Sequence, residues 1–579
     1  MMVTGWLFDA YPLGNKMIFW IRQENGDIIR LEDDSWSHSI YIAADYYYDK
    51  SDLKSILVKE NQEEDISCLI KDYEFVSKYE KITDSLDTEV LKITLSDSRK
   101  ALTLAKKIEK LDNFGKFRLY NVDLLPQQSY FYEHDIFPLA FCEVQKSNSS
   151  NSRQGEEAAV GKLMWVNKDD VWSTDYCLPE FKIVHIKVNI KKEQKLPRYS
   201  DRIQSLSVKQ EEWEHSAFEI YNESEYDIIK ALEREVARVN PDFIFTEDGD
   251  SFTFPYLIHR AEVNDTNLTL SREQLPLKRS VIKEGTSYFS YGRVYFKPTT
   301  VKLHGRIHLD KSNSFVWNES GLHGLYEIAR ICRMPLHTAS RASIGKCLSS
   351  LQFYYATKKG ILIPWKPTVA EHLKSMQELL IADRGGFIFE PEIVGVHENI
   401  AELDFVSLYP NIMLQKNLSA ETILCDCCPN SKTRVPELEY NICEKRTGIV
   451  PISLDIVLQK RAKYKQLLLL KTPKELKTIY DARQNSLKWI LVTSFGYLGF
   501  NNAKFGRIDA HIAVCAFARK ILLQAAKIAE RHGFRVLHGI VDSLWIKKNE
   551  KENSSNNNSP ITSNNDNNYY DDYLTLKNS

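Results

Sequence analysis

No apolar run in these 579 residues reaches the length needed to cross a membrane, and the opening Met1-Met2-Val3-Thr4-Gly5-Trp6-Leu7-Phe8-Asp9 lacks the charged and apolar regions of a signal peptide. The expectation is a cytoplasmic protein with no membrane partner. Positive charge is missing in bulk: the formal net charge is −2, so binding to nucleic acid would require a local cluster of cations. The densest is Lys460, Arg461, Lys463, Lys465, Lys471, Lys474 and Lys477, residue types that equally make a solvated helix face. Cysteine is also sparse. Ten in so long a chain cannot form the dense disulfide framework of a small secreted domain, and they read as reduced thiols.

The hydrophobic content of 43% suits a globular protein, and the length exceeds one ordinary core, so several domains are expected. The stretch Leu403-Asp404-Phe405-Val406-Ser407-Leu408-Tyr409-Pro410 reads as a buried strand that delivers Asp404 to the edge of a cleft, followed by a turn. Such a carboxylate can hold a hard divalent cation that keeps positions open for substrate phosphates. A second acid, Asp542, sits in Arg535-Val536-Leu537-His538-Gly539-Ile540-Val541-Asp542-Ser543-Leu544-Trp545-Ile546, which reads as a hairpin able to set it beside Asp404. Two carboxylates sharing a metal pair about 3.5–4 Å apart suit in-line displacement at phosphorus. Between them, residues 483–497 read as a helix ending at Gly496, with Lys488 offering a compact positive charge to the same cleft.

Cys425, Cys427, Cys428 and Cys443 are close enough in sequence to form a closed tetrahedral zinc site. The alternative is a group of free buried thiols, and the adjacency of Cys427 and Cys428 is awkward for ligands of one ion.

The order Asp404-Phe405-Val406-Ser407-Leu408-Tyr409-Pro410, then Arg483-Gln484 with Lys488 and Phe495-Gly496-Tyr497, then Gly539-Ile540-Val541-Asp542-Ser543, resembles the three polymerase motifs of family B DNA polymerases. The likeness runs from about residue 5 to about residue 548. It is greatest to divergent archaeal paralogues with decayed exonuclease motifs. The resemblance implies that Asp404, Asp542 and the Phe405 carbonyl hold two Mg²⁺ ions, with Mn²⁺ able to substitute. It further implies that Ser407 and Leu408 lie along the triphosphate, that Tyr409 excludes a 2′-hydroxyl, and that Arg461, Lys465 and Lys488 meet the phosphates.

Several positions depart from the family pattern. Ile540 replaces the first acid of the Asp-Thr-Asp hairpin, Val492 an asparagine, Phe495 a tyrosine, and Asp383 the tyrosine before Gly385-Gly386. In the exonuclease-type region the first acidic pair becomes Lys187 and Asn189, or Asn189 and Lys191 in the alternative register. In the second motif Thr253 stands for the metal-binding aspartate and Asp248 for an asparagine, while Asp250 reads as a loop or turn residue, the alternative being a surviving metal ligand. Neither register of the first pair can bind a metal, so this region is expected to be a scaffold.

The expected fold is α/β multidomain: an N-terminal domain (1–145), a mobile loop (146–160), a degenerate RNase H-like exonuclease-type domain (161–345), and a ferredoxin-like palm with helical fingers. Linker helices and the first part of the palm occupy 346–452, the fingers 453–497 and the second part of the palm 498–548. The Asn/Ser-rich stretch 549–579 is expected to be disordered, with the thumb absent from the chain. The expected function is a DNA-directed DNA polymerase without proofreading, acting on primer-template DNA and dNTPs; the thumb is either supplied by a separate chain or missing because the gene is truncated. The alternative is a catalytically inactive subunit that binds DNA or a partner polymerase.

Overall fold

The computed structural model describes residues 2–44, 66–111, 117–146, 162–191, 194, 197–211, 218–277, 285–290, 293–366, 371, 373–391 and 394–549. The stretch expected to be a mobile loop, from residue 147 on, and the Asn/Ser-rich tail, from residue 550 on, lie outside the described residues. The chain divides into two compact units, one within 1–80, 86–365 and 459–490, the other within 81–85, 366–458 and 491–579.

In the first unit, strands β1 (Met2–Leu13), β2 (Lys16–Arg22) and β3 (Ile28–Asp33) form an antiparallel meander. Strands β4 (Ser39–Ala44), β5 (Ile70–Lys78), β6 (Thr88–Leu95) and β7 (Phe117–Tyr120) make a second sheet in the order β5-β6-β4-β7. Helix Ala101–Leu111 covers this sheet with Leu104, Ala105 and Ile108, spaced to share one helix face. Strands β8 (Phe141–Lys146) and β9 (Leu163–Asn167) return to extend the first sheet.

The next sheet is mixed and starts from β10 (Ile183–Lys191), in which Val184, Ile186, Val188 and Ile190 alternate with His185, Lys187, Asn189 and Lys191. Period-two alternation puts the apolar set on one face, where it joins the core. β11 (Arg202–Gln210) and β12 (Phe218–Ile220) add antiparallel on one side, while β13 (Phe243–Thr246) and, after the hairpin β14 (Gly285–Ser290) and β15 (Arg293–Pro298), β16 (Ile307–Asp310) add parallel on the other.

Within the same unit, helix Phe315–Ile331 carries two fully buried charges on one face, Glu327 and Arg330. Glu327 pairs with Lys460 Nζ at 2.8 Å and accepts hydrogen bonds from Tyr176 (2.6 Å) and Tyr464 (3.0 Å). Burial works against ionisation of Glu327, but Lys460 and Arg483 outweigh it and hold the carboxyl below its usual range. Lys460 also donates to the Val171 carbonyl at 2.7 Å, and the Arg330 and Arg483 guanidinium carbons each lie 3.7 Å from the Tyr176 ring centroid. Lys460 therefore leaves the basic cluster read from the sequence: it is 2% exposed and committed to an internal ion pair. Lys463, Lys465, Lys471, Lys474 and Lys477 remain exposed.

Removing one partner of a buried pair strands the other charge, which costs about 3–5 kcal/mol. Lys460→Met is expected to lower unfolding free energy by that order in chemical denaturation, and Lys460→Met with Glu327→Leu to recover part of the loss. The buried histidines give a pH dependence. Desolvation pushes His308 down to about 3, with Arg341 adding to it, and His38 down to about 4. In the unfolded chain each imidazole titrates near about 6.5, so below that pH the unfolded state takes up protons that the native state refuses. Their stabilising contribution is whole above that value and is lost as pH falls toward the lowered values. Thermal midpoints should drop between pH 7 and 5, and the drop should be shallower in His308→Gln.

Candidate active site

In the second unit, β17 (Ile388–Phe389), β18 (Ile400–Asp404), β19 (Phe534–Ile540) and β20 (Ser543–Lys548) form an antiparallel sheet in the order β17-β19-β20-β18. Helix Ile508–Arg531 supplies Leu522, Ala526 and Ala529 to its core, where Phe534, Leu544 and Ile546 meet Ala401, Leu403 and Phe405. The strand ending at Asp404 is thus not buried on both faces, as its apolar run suggested. Ala401, Leu403 and Phe405 point inward by alternation, Glu402 and Asp404 are exposed, and Val406 is 66% exposed.

Asp404 pairs with Ser543 across the β18–β20 ladder, and the Ser543 hydroxyl donates to Asp404 Oδ1 at 3.2 Å. The next amide, of Phe405, donates to the Asp542 carbonyl at 2.9 Å, so the strand end and the hairpin turn are locked together. Val541, with φ of 53°, makes the left-handed corner that turns the chain into Asp542. The hairpin read from the sequence is present, with Asp542 at its tip. Desolvation, and then the charge of Asp404, raise the Asp542 carboxyl above its ordinary range. Two acids that repel each other at one end of a sheet match the charge demand of a dication bound by oxygen ligands. Ile540 pairs with Ile388 and Ser543 and is 40% exposed, carrying no charge where the resemblance has an acid.

Beyond Asp404, the Ser-Leu-Tyr-Pro segment enters helix Leu408–Gln415 rather than a simple turn. Ser407 takes a left-handed φ of 52°, and the Asn411 side-chain amide pins the bend by donating to the carbonyls of Val406 (2.9 Å) and Ser407 (3.2 Å). Leu408 is 6% exposed. Tyr409 meets Phe495 with ring centroids 4.4 Å apart, and Phe495 stacks on His511 at 4.0 Å. Burial, then the Cys515 thiol, and then Asp542, hold the Tyr409 hydroxyl above its usual range.

Gly385 and Gly386 join this group for a steric reason. A Cβ on Gly386 would lie 2.9 Å from Val541 Cγ2 and 3.2 Å from the Tyr409 hydroxyl. Gly385 adopts a φ of 64°, and its carbonyl accepts from Arg519 Nη1 at 2.6 Å while Arg519 Nη2 pairs with Glu437 at 2.7 Å. Asn411, His511 and Arg519 were not singled out from the sequence. Each lies in a helix of otherwise ordinary pattern, and only a tertiary contact gives it a role.

Arg461 and Lys465 lie on helix Ile449–Leu469, and Lys488 and Val492 on helix Lys474–Leu498, which continues past Gly496 instead of ending there. A helical glycine costs about 1 kcal/mol against alanine, too little to stop a 25-residue helix. Lys465, Lys488 and Val492 are exposed, and Arg461 is half-buried, its desolvation lowering the guanidinium's affinity for its proton. Arg461, Lys465 and Lys488 belong to the first unit, whereas Asp404, Tyr409, Val492, Phe495 and Asp542 belong to the second.

In the first unit, Lys187, Asn189, Thr253 and Asp248 line one cavity of about 880 Å³, together with His185, Glu219 and Glu247. Asn189 donates to the Ser205 hydroxyl at 2.9 Å. Asp250 is not in that lining. It is 2% exposed, accepts from Arg341 Nη2 (3.0 Å), Asn313 Nδ2 (2.9 Å) and the Val301 amide (2.9 Å), and tethers the turn to its surroundings. Gly249, just before it, admits the close pairing of Thr246 with His308 at 2.9 Å, into which a Cβ would collide. Among the described residues, no three His, Cys, Asp or Glu of this cavity converge as metal ligands.

They do converge at the cysteines. The sulfurs of Cys425, Cys427, Cys428 and Cys443 all lie within 4.8 Å of one another. Burial opposes ionisation of Cys443, but the backbone N–H groups of Lys445 and Arg446, with Cys427 and Cys425, bring its thiol down to about 7.

Residues 344–558 match the profile of DNA polymerase family B, and residues 117–316 that of its exonuclease domain. The chain is 37% identical over 247 residues to DNA polymerase 2 of Saccharolobus solfataricus, covering 43% of this chain and 36% of that protein. It is 27% identical over 366 residues to DNA polymerase 1 of Pyrococcus abyssi, covering 56% and 47% respectively. The chain thus spans less than half the length of either relative. In fold it is similar to the family B DNA polymerase of Pyrobaculum calidifontis, with a TM-score of 0.69 at 20% identity over 94% of this chain and 75% of that one. With its exonuclease-domain and polymerase-domain regions in sequence order, the chain belongs to the family B DNA polymerases.

Proposed function

We propose that the chain is a DNA-directed DNA polymerase that adds deoxynucleotides to a primer 3′-hydroxyl and has no proofreading nuclease. The observation that carries the reading is the lock between β18 and the β19–β20 hairpin, in which Asp404 ends one strand and Asp542 tips the turn bonded to it. On this reading residues 1–145 are the N-terminal domain and 161–345 an RNase H-like exonuclease-type domain. Residues 346–452 and 498–548 carry the ferredoxin-like palm, and 453–497 the fingers.

Asp404, Asp542 and the Phe405 carbonyl are the groups that would hold two Mg²⁺, or Mn²⁺. When bound, the ions supply the Lewis acidity that lowers the pKa of the primer hydroxyl and the positive charge that offsets the leaving pyrophosphate. The chain's own groups bind and orient. Ser407 and the Leu408 backbone offer donors at the start of a helix, where N–H groups favour phosphate oxygens. Tyr409, braced by Phe495, is assigned the face of the sugar, and Arg461, Lys465 and Lys488 the phosphates. The primer oxygen bonds to the α-phosphorus as the bond to the β-phosphate oxygen breaks, and the hydroxyl proton leaves to solvent. Binding to the template backbone would be independent of sequence and weakened by salt.

The loss of proofreading is supported by Lys187, Asn189 and Thr253 standing in one cavity with Asp250 bound elsewhere to Arg341. A second reading, an inactive subunit that binds DNA or a partner polymerase, is favoured by the uncharged Ile540 beside the two acids.

Primer extension with Mg²⁺ or Mn²⁺, with and without a separate thumb-bearing chain, distinguishes the two. Wild type should extend the primer, and Asp542→Ala should reduce the rate by about a thousandfold or more. No incorporation in any combination leaves the inactive reading. Tyr409→Ala should raise ribonucleotide incorporation, and a labelled single-stranded 3′ end should stay intact. Gly386→Ala should lower stability by about 1–3 kcal/mol through overpacking against Val541 and Tyr409, read from the shift in thermal midpoint.

A further inference from the structure

The segment between helices Leu408–Gln415 and Ile449–Leu469 contains little regular structure, yet it is closely organised. Its two halves are joined by the amide of Leu424 to the Asn441 carbonyl (2.9 Å), that of Cys443 to Thr422 (2.8 Å) and that of Ile442 to Thr433 (3.1 Å). These pairings carry Cys443 to the three cysteines of the 425–428 turn.

The sulfur separations have the dimensions of a coordination polyhedron. Cys427 to Cys428 is 3.8 Å, Cys427 to Cys443 is 3.5 Å and Cys428 to Cys443 is 3.9 Å. Four thiolates at the usual zinc–sulfur length of about 2.3 Å on a tetrahedron have edges of about 3.8 Å. A disulfide would need about 2.0 Å, and two disulfides would sort the sulfurs into pairs, whereas here three sulfurs stand at nearly equal spacing. The adjacency of Cys427 and Cys428, awkward on paper, is accommodated because their sulfurs already sit one polyhedron edge apart.

The surroundings are those of a bound thiolate. The Asn441 side chain donates to the carbonyls of Cys425 and Cys428, both at 2.9 Å, and lies 3.6 Å from the Cys425 sulfur. Such N–H groups around ligating sulfur orient it and offset its charge. Cys425, Cys428 and Cys443 are buried, which shields the site from exchange and oxidation.

We infer that Cys425, Cys427, Cys428 and Cys443 hold one structural Zn²⁺ that clamps this segment. Binding displaces the thiol protons to solvent and involves no redox change. The clamped segment carries Glu437, whose ion pair with Arg519 directs that guanidinium to the Gly385 carbonyl, next to the glycine that abuts Tyr409. The metal thereby acts at a distance on the wall around Tyr409. The metal assignment does not depend on the polymerase reading.

The test uses the full chain purified without chelator. Elemental analysis should give about one zinc per chain, retained in Cys68→Ser, whose thiol is exposed and outside the group, and lost from Cys427→Ser. Cobalt replacement should give thiolate charge-transfer and tetrahedral d–d absorption in wild type, both absent in Cys427→Ser, the least buried of the four and so the mildest change. Chelation should lower the thermal midpoint by about 5 °C or more. Zinc-free protein with four alkylatable thiols, a disulfide among the four found by mass spectrometry, iron in place of zinc, or full zinc content in Cys427→Ser would each overturn the assignment.

Discussion

The backbone ladder between β18 and β20 is the constraint from which the candidate site follows. Pairing Asp404 with Ser543 fixes which face each side chain takes, because a one-residue slip would send Leu403 outward and Asp404 into the core formed with Leu544 and Ile546. The core therefore enforces the chemistry. Burying Leu403 and Phe405 obliges Asp404 to be exposed, and the Phe405 amide, bonded to the Asp542 carbonyl, makes the second acid follow the first. The raised proton affinity of Asp542 is the consequence of partial burial first and then of this forced proximity.

Around the pair, small residues and rings set the shape. Gly386 lets a backbone run against Tyr409 and Val541, and Phe495 holds Tyr409 from another side while stacking on His511. Phe495 is a ring without a hydroxyl, so its contact with Tyr409 rests on packing alone. In the first unit the arrangement is of another kind. The cavity that holds Lys187, Asn189 and Thr253 is lined by strand residues, and among the described residues no three metal-ligating side chains converge in it, while Asp250 serves as an anchor for Arg341. A sheet is specified by its apolar face and a metal site by a few polar residues on the other, so the one can be present without the other.

The hairpin, the strand at Asp404 and the alternation of β10 were legible in the sequence because period-two patterns and turn residues are local signals. The exposure of one face of the strand that ends at Asp404 was not, since an apolar run reads alike whether one or both faces are covered. Helix Lys474–Leu498 outran its expected end because Gly496 weighs little against the turns around it. Lys460 misled for a deeper reason: a lysine within a basic run looks solvated unless its partner, Glu327, is known to sit more than a hundred residues away in the chain. The cysteines show the reverse. Their spacing raised both a metal site and free thiols, and only the equal separation of three sulfurs favours the former.

The buried Glu327 has one more implication. Its carboxylate is tolerable only when Lys460, Tyr176 and Tyr464 are all in place, so a half-seated arrangement of the helices that carry Lys460 and Arg483 would leave a naked charge in an apolar interior. Seating of these helices is therefore an all-or-none event, because one acid cannot be partly satisfied.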